Sequence, residues 1–210
     1  MMKAARRSRL DIAAELADNL APYPGKICGG CTACCSTLAV RELGLPNWTR
    51  CPHVRTPPDA FTGCSIYATR PNSCRAWICG WRAADWADDC RPDRCGVIVD
   101  PMPDLVWVNG EELPVARLWV LPGHEEAYRR DPVQALVLAI VHAGHGVLWD
   151  MAPNKEGRRL AQVIRRNAAG KIEISYPTAS SDTGMSEAER SFRAMGWNEG
   201  LDNQGQIDGS

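Results

Sequence analysis

Ten cysteines lie between residues 28 and 95, and the rest of this 210-residue chain contains none. An ionised thiol is a strong ligand for soft metal ions, whereas two oxidised thiols form a disulfide. A chain of this length can bury a hydrophobic core and does not need disulfides for stability, as small secreted domains do. We therefore expect the cysteines to bind metal.

The N-terminal residues indicate a reducing compartment. Charged residues interrupt every apolar run between Met1 and Leu20, whereas a secretory signal carries an unbroken apolar stretch of about 7–15 residues. No segment approaches the roughly 18 uncharged apolar residues of a transmembrane helix. Clustered cysteines inside cells are more often ligands than disulfides. We predict a cytoplasmic protein that does not contact a membrane.

The first four cysteines follow the pattern Cys-x2-Cys-x2-Cys-Cys. Two residues between thiolates let a tight turn bring both sulfurs to one ion, and Zn²⁺ takes four such ligands tetrahedrally at about 2.3 Å. Adjacent side chains usually point in different directions, so Cys34 and Cys35 are assigned to different centres. Eight cysteines fill two such sites, and the predicted metal ligands are Cys28, Cys31, Cys34, Cys35, Cys51, Cys64, Cys74 and Cys79. The spacing does not say how the others divide between the centres.

Several neighbours of these cysteines have open roles. Cys90 and Cys95 are a further half-site, a disulfide or two unrelated thiols. His53 is a substitute ligand or, as for most single histidines, an ordinary polar residue. Arg70 and Arg75 stand among the ligands, where cations offset the negative charge of thiolates. We expect both arginines to face the metal centres.

The sequence from about residue 26 to residue 100 resembles a known family. From Cys64 to Trp81 the chain reads Cys-x-Ile-Tyr-x2-Arg-Pro-x2-Cys-Arg-x-Trp-x-Cys-x-Trp, after the Cys-x2-Cys-x2-Cys-Cys pattern. This combination looks like the YkgJ-like cysteine-cluster family, which is described as a zinc- or iron-chelating domain in bacteria. The resemblance implies metal chelation, and Cys90 and Cys95 lie outside its motif.

The patterns favour a metal-binding protein with a structural or partner-docking role. Zn²⁺ is favoured over iron, because closed sites of four thiolates need no inorganic sulfide. The alternatives are an iron–sulfur protein that takes part in redox or methyl-transfer chemistry, and a protein for metal storage or delivery. No catalytic constellation is recognisable. The net charge of −1 and the dispersed basic residues exclude a nucleic-acid-binding surface, and a protein partner stays open.

Composition divides the chain into four parts. Residues 1–25 predict an amphipathic helix and a linker, and residues 26–96 predict a loop-rich module that is organised by metal. Residues 97–176 predict a small mixed segment packed on this module, with few strands and two or three helices. Residues 177–210 are polar and predict disorder. The predicted fold class is α+β.

The predicted elements of the third part follow from apolar runs and breakers. One helix begins at Asp131, as N-cap, and ends at Gly144. A second helix is capped by Asn154, carries Leu160, Val163 and Ile164, and ends at Gly170. Residues 100–104 predict a turn between the first two strands. The predicted strands are Val97–Val99, Leu105–Val108, Val115–Val120, Val147–Met151 and Ile172–Tyr176.

Overall fold

A five-stranded sheet lies at the centre of the computed structural model, which describes residues 21–55, 63–157 and 160–178. Its strands are β1 (Val97–Val108), β2 (Glu111–Val120), β3 (Gly146–Met151), β4 (Leu160–Arg166) and β5 (Ile172–Ser175). They follow one another in space in chain order, and β2 and β3 are parallel while all other neighbours are antiparallel. The α+β class is confirmed. The predicted N-terminal helix and nearly all of the predicted disordered tail lie outside the described residues.

Four α-helices accompany the sheet in the described ranges. They are α1 (Asn72–Ala76), α2 (Gly80–Ala83), α3 (Pro92–Cys95) and α4 (Val133–His142). The first three have four or five residues each and belong to the cysteine-rich part of the chain. No helix in the described residues is both long and apolar enough to cross a membrane.

Helix α4 is the connection that parallel strands require. Because β2 and β3 run in the same direction, the chain must cross over between them, and α4 covers one face of the sheet as it does so. Its buried residues recur four positions apart, at Val133, Val137 and Val141, which is the pattern of a helix with one apolar face. The predicted helix is confirmed, but Asp131 is not its N-cap. Pro132 occupies that position, and no side chain caps the helix.

The first strand is longer than predicted. Residues 100–104 were predicted to be a turn, yet they continue β1, whose pairing with β2 is irregular between Val99 and Pro103. In this interval β1 has two more residues than β2, since Val99 pairs with Leu118 and Pro103 with Ala116. An insertion of this kind bends a strand without ending it. The bend carries Asp100 within the sheet.

Residues 160–166 form a strand, so the predicted second helix is wrong. β4 pairs with β3 and buries Val163 on one face of the sheet and Ile164 on the other. A strand that is covered on both faces loses the alternating pattern of a half-exposed strand, and its apolar residues then fall by chance at helical spacing. Asn154 accepts a hydrogen bond from the amide of Glu156 at 3.1 Å, in a turn.

Two apolar clusters occupy opposite faces of the sheet. One contains α4 with Leu118 and Trp149, both fully buried. The other lies among the inward side chains of β1 to β4, including Val108 and Val163. At the edge of the sheet, the backbone amide of Thr178 donates a hydrogen bond to the carbonyl oxygen of Trp107 at 2.7 Å. The chain after β5 therefore pairs with β1, and the two edges of the sheet meet at this point.

A third cluster joins the cysteine-rich part to the sheet. It consists of Ala33, Ile98 and Trp119, which are all at most 8% exposed. The ring of Trp48 packs edge-on against Trp119, with 5.9 Å between ring centroids, a favourable geometry for aromatic pairs. The cysteine-rich part, which has few secondary-structure elements of its own, therefore packs on the sheet.

Candidate metal centre

Four of the predicted ligands belong to what we call the first thiol group: Cys28, Cys31, Cys34 and Cys79. The amide of Cys31 donates to the carbonyl of Cys28 at 3.0 Å, so these two residues share a turn. Cys34 begins a short 3-10 helix, and Cys79 immediately precedes α2. Three members of the group, Cys31, Cys34 and Cys79, pack against the buried cluster of Ala33, Ile98 and Trp119.

The other four form the second thiol group: Cys35, Cys51, Cys64 and Cys74. The amide of Cys51 donates to the carbonyl of Cys35 at 2.8 Å, which brings these two chain segments together. Cys64 is opposite Val54 in a single antiparallel bridge. Cys74 lies in α1, which is anchored by Glu42, because the hydroxyl and amide of Ser73 donate to that carboxylate at 2.7 and 3.0 Å.

All eight predicted ligands line one cavity of about 370 Å³ between the cysteine-rich part and the sheet. Cys34 and Cys35 are the point where the two thiol groups meet, with 4.0 Å between their sulfurs. Cys90, Cys95 and His53 are not among the lining residues. The structure therefore separates the eight cysteines of the motif from the other two.

The pKa values of the first thiol group reflect burial and mutual proximity. Burial, followed by the charges of Asp93 and Cys79, raises the pKa of Cys31 to about 12. Burial also raises the pKa of Cys79, and the proximity of Cys28 adds to the rise. The hydrogen bond with Cys35 raises the pKa of Cys34 well above its usual value, and burial and the charges of Cys35, Cys28 and Cys31 act in the same direction.

The second thiol group shows the same mutual influence. Burial raises the pKa of Cys64 and of Cys74, and in both cases the charges of Cys35 and Cys51 raise it further. Cys35 itself differs, because its hydrogen bond with Cys34 and the positive charge of Arg70 lower its pKa to about 7. Apart from the adjacent Cys34 and Cys35, every such influence between cavity thiols lies within one group.

No cysteine is oxidised: all ten are free thiols. Equally, no three or more His, Cys, Asp or Glu side chains in residues 21–55, 63–157 and 160–178 are arranged to hold a metal ion. The cavity thus offers the thiol chemistry that zinc and iron use, without a finished coordination shell. The donor set fits a thiolate-bound metal, and closure around an ion requires the sulfurs to converge.

Two guanidinium groups lie beside the thiols. Arg70 stacks over the ring of Tyr67, with 4.0 Å from its central carbon to the ring centroid, and its charge lowers the pKa of Cys35. Arg82 follows Cys79 by one helical turn. The Nε atoms of Arg70 and Arg82 are buried and have no hydrogen-bond partner among the described residues. A buried donor without an acceptor is costly, and an anionic sulfur would satisfy it.

Arg75 does not have the expected position. Its side chain is exposed, donates to the side-chain oxygen of Asn72 at 2.9 Å, and is absent from the cavity lining. Arg82, which was not among the predicted residues, lines the cavity in its place. Its position three residues after Cys79 was the available signal, because a helix starting there puts both residues on one side.

Cys95 and His53, whose roles the sequence left open, both take part in local contacts outside the cavity. The sulfur of Cys95 lies 3.3 Å from the carbonyl oxygen of Cys90 and 3.4 Å from that of Val97, and Cys95 packs against the α4 side of the sheet. Burial raises its pKa to about 11. The carbonyl of His53 accepts from the amide of Ser65 at 2.8 Å, so this residue is part of a backbone pairing.

The sheet side of the cavity carries a polar network that no sequence motif indicated. Asp100 accepts hydrogen bonds from the indole N–H groups of Trp77 and Trp119, both at 3.3 Å, and from the amide of Met102 at 3.1 Å. Its pKa is raised by burial, although these donors and the nearby Arg117 oppose the shift.

Arg117 organises the rest of this network. It pairs with Asp104 and lies 3.9 Å from a carboxylate oxygen of Asp150, and all three residues are at most 6% exposed. Its guanidinium also lies over the ring of Trp119, 5.0 Å from the centroid. One buried cation thus lies beside two buried carboxylates.

Comparison of the chain with known protein families, with curated proteins and with solved structures finds no match. The resemblance to the YkgJ-like family and the binding of metal by these cysteines therefore stay predictions, which rest on the motif and on the geometry described above.

Proposed function

We propose that this chain binds two metal ions, one at each thiol group, and that Zn²⁺ is the ion at both. The observation that supports this proposal is that all eight motif cysteines line one cavity, which is twice the number of ligands in one tetrahedral zinc site. Four thiolates make a closed tetrahedral zinc site. Two sets of four match two such sites.

Convergence of the sulfurs on an ion would use rotation of the cysteine side chains. A cysteine side chain has a single rotatable bond with three staggered positions, so its sulfur moves while the backbone stays in place. In the metal-free protein, protonated thiols have no attraction that would draw four of them together, and ionised thiols repel one another. An ion supplies that attraction, which is why metal binding and folding of such modules are coupled.

The role of the ions in this proposal is structural. In its described residues, 21–55 and 63–96, the cysteine-rich part contains short helices, turns and isolated β-bridges. Bound metal would replace the larger core that this region lacks. Zinc is redox-inert, and four thiolates leave no open position for a substrate. Arg70 and Arg82 would donate to the anionic sulfurs and offset part of their charge.

The experiment uses three single variants and one double variant of the full chain. Native protein should hold two ions, Cys31→Ser and Cys64→Ser one each, and the double variant none, by elemental analysis after purification without oxygen. Cys95→Ser is the matched control, because Cys95 lies outside the cavity, and it should retain two ions. Equal metal loss in Cys31→Ser and Cys95→Ser would contradict the assignment.

The same samples test the iron–sulfur alternative. Zinc-loaded protein is colourless, whereas thiolate-bound iron clusters are brown and absorb near 400 nm, an approximate position for such clusters. A brown native protein with iron and acid-labile sulfide in place of zinc would replace the zinc proposal by that alternative.

A further inference from the structure

Strand β5 presents an exposed apolar strip on the α4 side of the sheet. Ile174 is opposite Ile164, which is buried in the cluster under α4, so both side chains lie on the same face. Ile172, Ile174 and Tyr176 alternate along the chain and share that face. They are 43%, 43% and 63% exposed. We call these three residues the β5 strip.

Helix α4 leaves the β5 strip uncovered. It packs chiefly on β3 and β4, and within the described part of the chain the cluster beneath it includes no residue of β5. Apolar residues scattered singly over a surface are normal, whereas adjacent apolar residues that share a face mark interaction sites. The strip therefore needs an occupant.

The chain itself continues from the strip into a segment with the sequence pattern of a helix. Thr178, two residues after Tyr176, is the last described residue. In residues 186–196, Ser186 and Glu189 have the spacing of a capping box, in which each side chain satisfies a backbone amide at the start of a helix. Gly196 is the residue type that most often follows a helix.

This helical segment has one apolar face. Its apolar residues are three or four positions apart, which puts them on one side of a helix: Met185, Ala188, Phe192 and Met195. Isolated helices shorter than about 12–15 residues are marginal in water. The pattern of residues 186–195 therefore predicts a helix that is stable only when its apolar face packs on another surface.

The dimensions of the segment and the strip match. A helix of residues 186–195 is about 15 Å long at 1.5 Å per residue, and Ile172 to Tyr176 covers about 13 Å of extended strand at 3.3 Å per residue. The residues from 179 to 184 can span roughly 20 Å when extended. This length lets the chain turn back from Thr178 and lie along the strip.

The charges of the two surfaces are complementary. Arg166, which is opposite Ile172, and Lys171 are both exposed at one end of the strip. Residues 179–210 contain six acidic and two basic residues, a net charge of −4. Attraction between these charges brings the segment to the sheet, and apolar contact holds it there.

We propose that residues 186–195 form a helix that binds the β5 strip of the same chain, with Phe192 at the centre of the contact. The segment would cover the sheet beside α4, on the part of that face that α4 leaves open. This inference goes beyond the proposed function, because it involves neither the cavity nor bound metal.

The direct test is an NMR experiment on the full chain, purified without oxygen, with labelled isoleucine methyl groups and phenylalanine rings. Ile172→Val and Ile174→Val assign the two methyl resonances, and Phe192→Leu assigns the ring. We expect nuclear Overhauser contacts between the Phe192 ring and at least one of the two methyl groups. Absence of contacts to both methyl groups overturns the proposal.

Two variants of the tail give a second readout. Phe192→Asp places a charge on the apolar face of the segment, so amide hydrogen exchange in β5 should become faster by at least about fivefold. Ile207→Asp makes the same change at a tail position outside the segment and should leave this exchange unchanged. Both substitutions lie outside the sheet and do not endanger its folding. Equal exchange in Phe192→Asp and native protein overturns the proposal.

A second copy of the chain is the competing occupant. Contact within one chain predicts methyl shifts of Ile172 and Ile174 that do not change with protein concentration, and a monomer in sedimentation equilibrium. Shifts that change with concentration, together with a dimer, would overturn the proposal in favour of self-association. Metal analysis of the same sample tests the proposed function separately, since neither outcome depends on the other.

Discussion

Replacement of Arg82 by methionine should change metal affinity and the stability of the metal-free protein in different directions. In the proposed metal-loaded protein, the Nε donor of Arg82 and its charge would act on the sulfurs of the first thiol group. Loss of such a supporting partner typically weakens metal binding by about 10–100-fold. That range corresponds to ~1.4–2.7 kcal/mol of binding free energy.

In the metal-free protein the same Nε donor lowers the free energy of unfolding. The Nε atom of Arg82 is buried without an acceptor, and such a donor costs about 1–3 kcal/mol. Methionine retains most of the apolar stem of arginine and removes this donor. The free energy of unfolding of metal-free Arg82→Met should therefore equal or exceed that of the metal-free native protein.

A competition titration with a coloured chelator measures the two binding steps, and urea unfolding of chelator-treated protein measures stability. Arg82→Met should weaken one step and leave the other unchanged. The control is Arg75→Met, since the side chain of Arg75 is exposed and donates a hydrogen bond to Asn72. Both quantities should stay within about 0.5 kcal/mol of native. Unchanged affinity at both steps, or a metal-free Arg82→Met less stable than the control, would refute the reasoning.

Three further predictions follow from the structure. Metal binding at pH 7 should release at least five protons per chain, and metal affinity should fall as pH falls. The reason is that raised pKa values keep five cavity thiols protonated in the metal-free protein: Cys31, Cys34, Cys64, Cys74 and Cys79. Calorimetry in buffers of different ionisation enthalpy measures the number of protons released. Leu118→Ala should lower the free energy of unfolding by about 2–5 kcal/mol, since Leu118 is fully buried. Leu160→Ala, at a 41% exposed position, should lower it clearly less. Equal losses in urea unfolding would contradict the assignment of Leu118 to the core. Removal of metal by a chelator should speed amide hydrogen exchange in residues 26–55 while the amides of β3 keep their protection, and uniform loss of protection would show that the ions stabilise the sheet as well.

The position of the cavity cysteines could be predicted because it depends on local chemistry. Cys-x2-Cys spacing places two sulfurs on one turn. The divergence that we expected of the adjacent Cys34 and Cys35 is not seen, because their sulfurs lie 4.0 Å apart. The motif also distinguished Cys90 and Cys95, which lie outside the cavity. Membership of each thiol group could not be predicted, since Cys79 meets Cys28 only through the tertiary structure.

Features that depend on strand pairing could not be predicted from the sequence. The apolar spacing from Leu160 to Ile164 fits a helix and a strand buried on both faces equally well, and only the position of β4 between two clusters decides. Asp100 looks like a turn residue until the pairing of β1 with β2 continues past it. Its hydrogen bonds with the indoles of Trp77 and Trp119 follow from that pairing. The polar network around Arg117 follows from it as well.

X-ray absorption at the metal edge of the native protein, purified without oxygen, tests the central claim most directly. Two zinc ions per chain, each with four sulfur neighbours at about 2.3 Å, are the predicted result. Nitrogen or oxygen atoms in the first coordination shell, or a protein that holds no metal and whose thiols pair as disulfides, would contradict it.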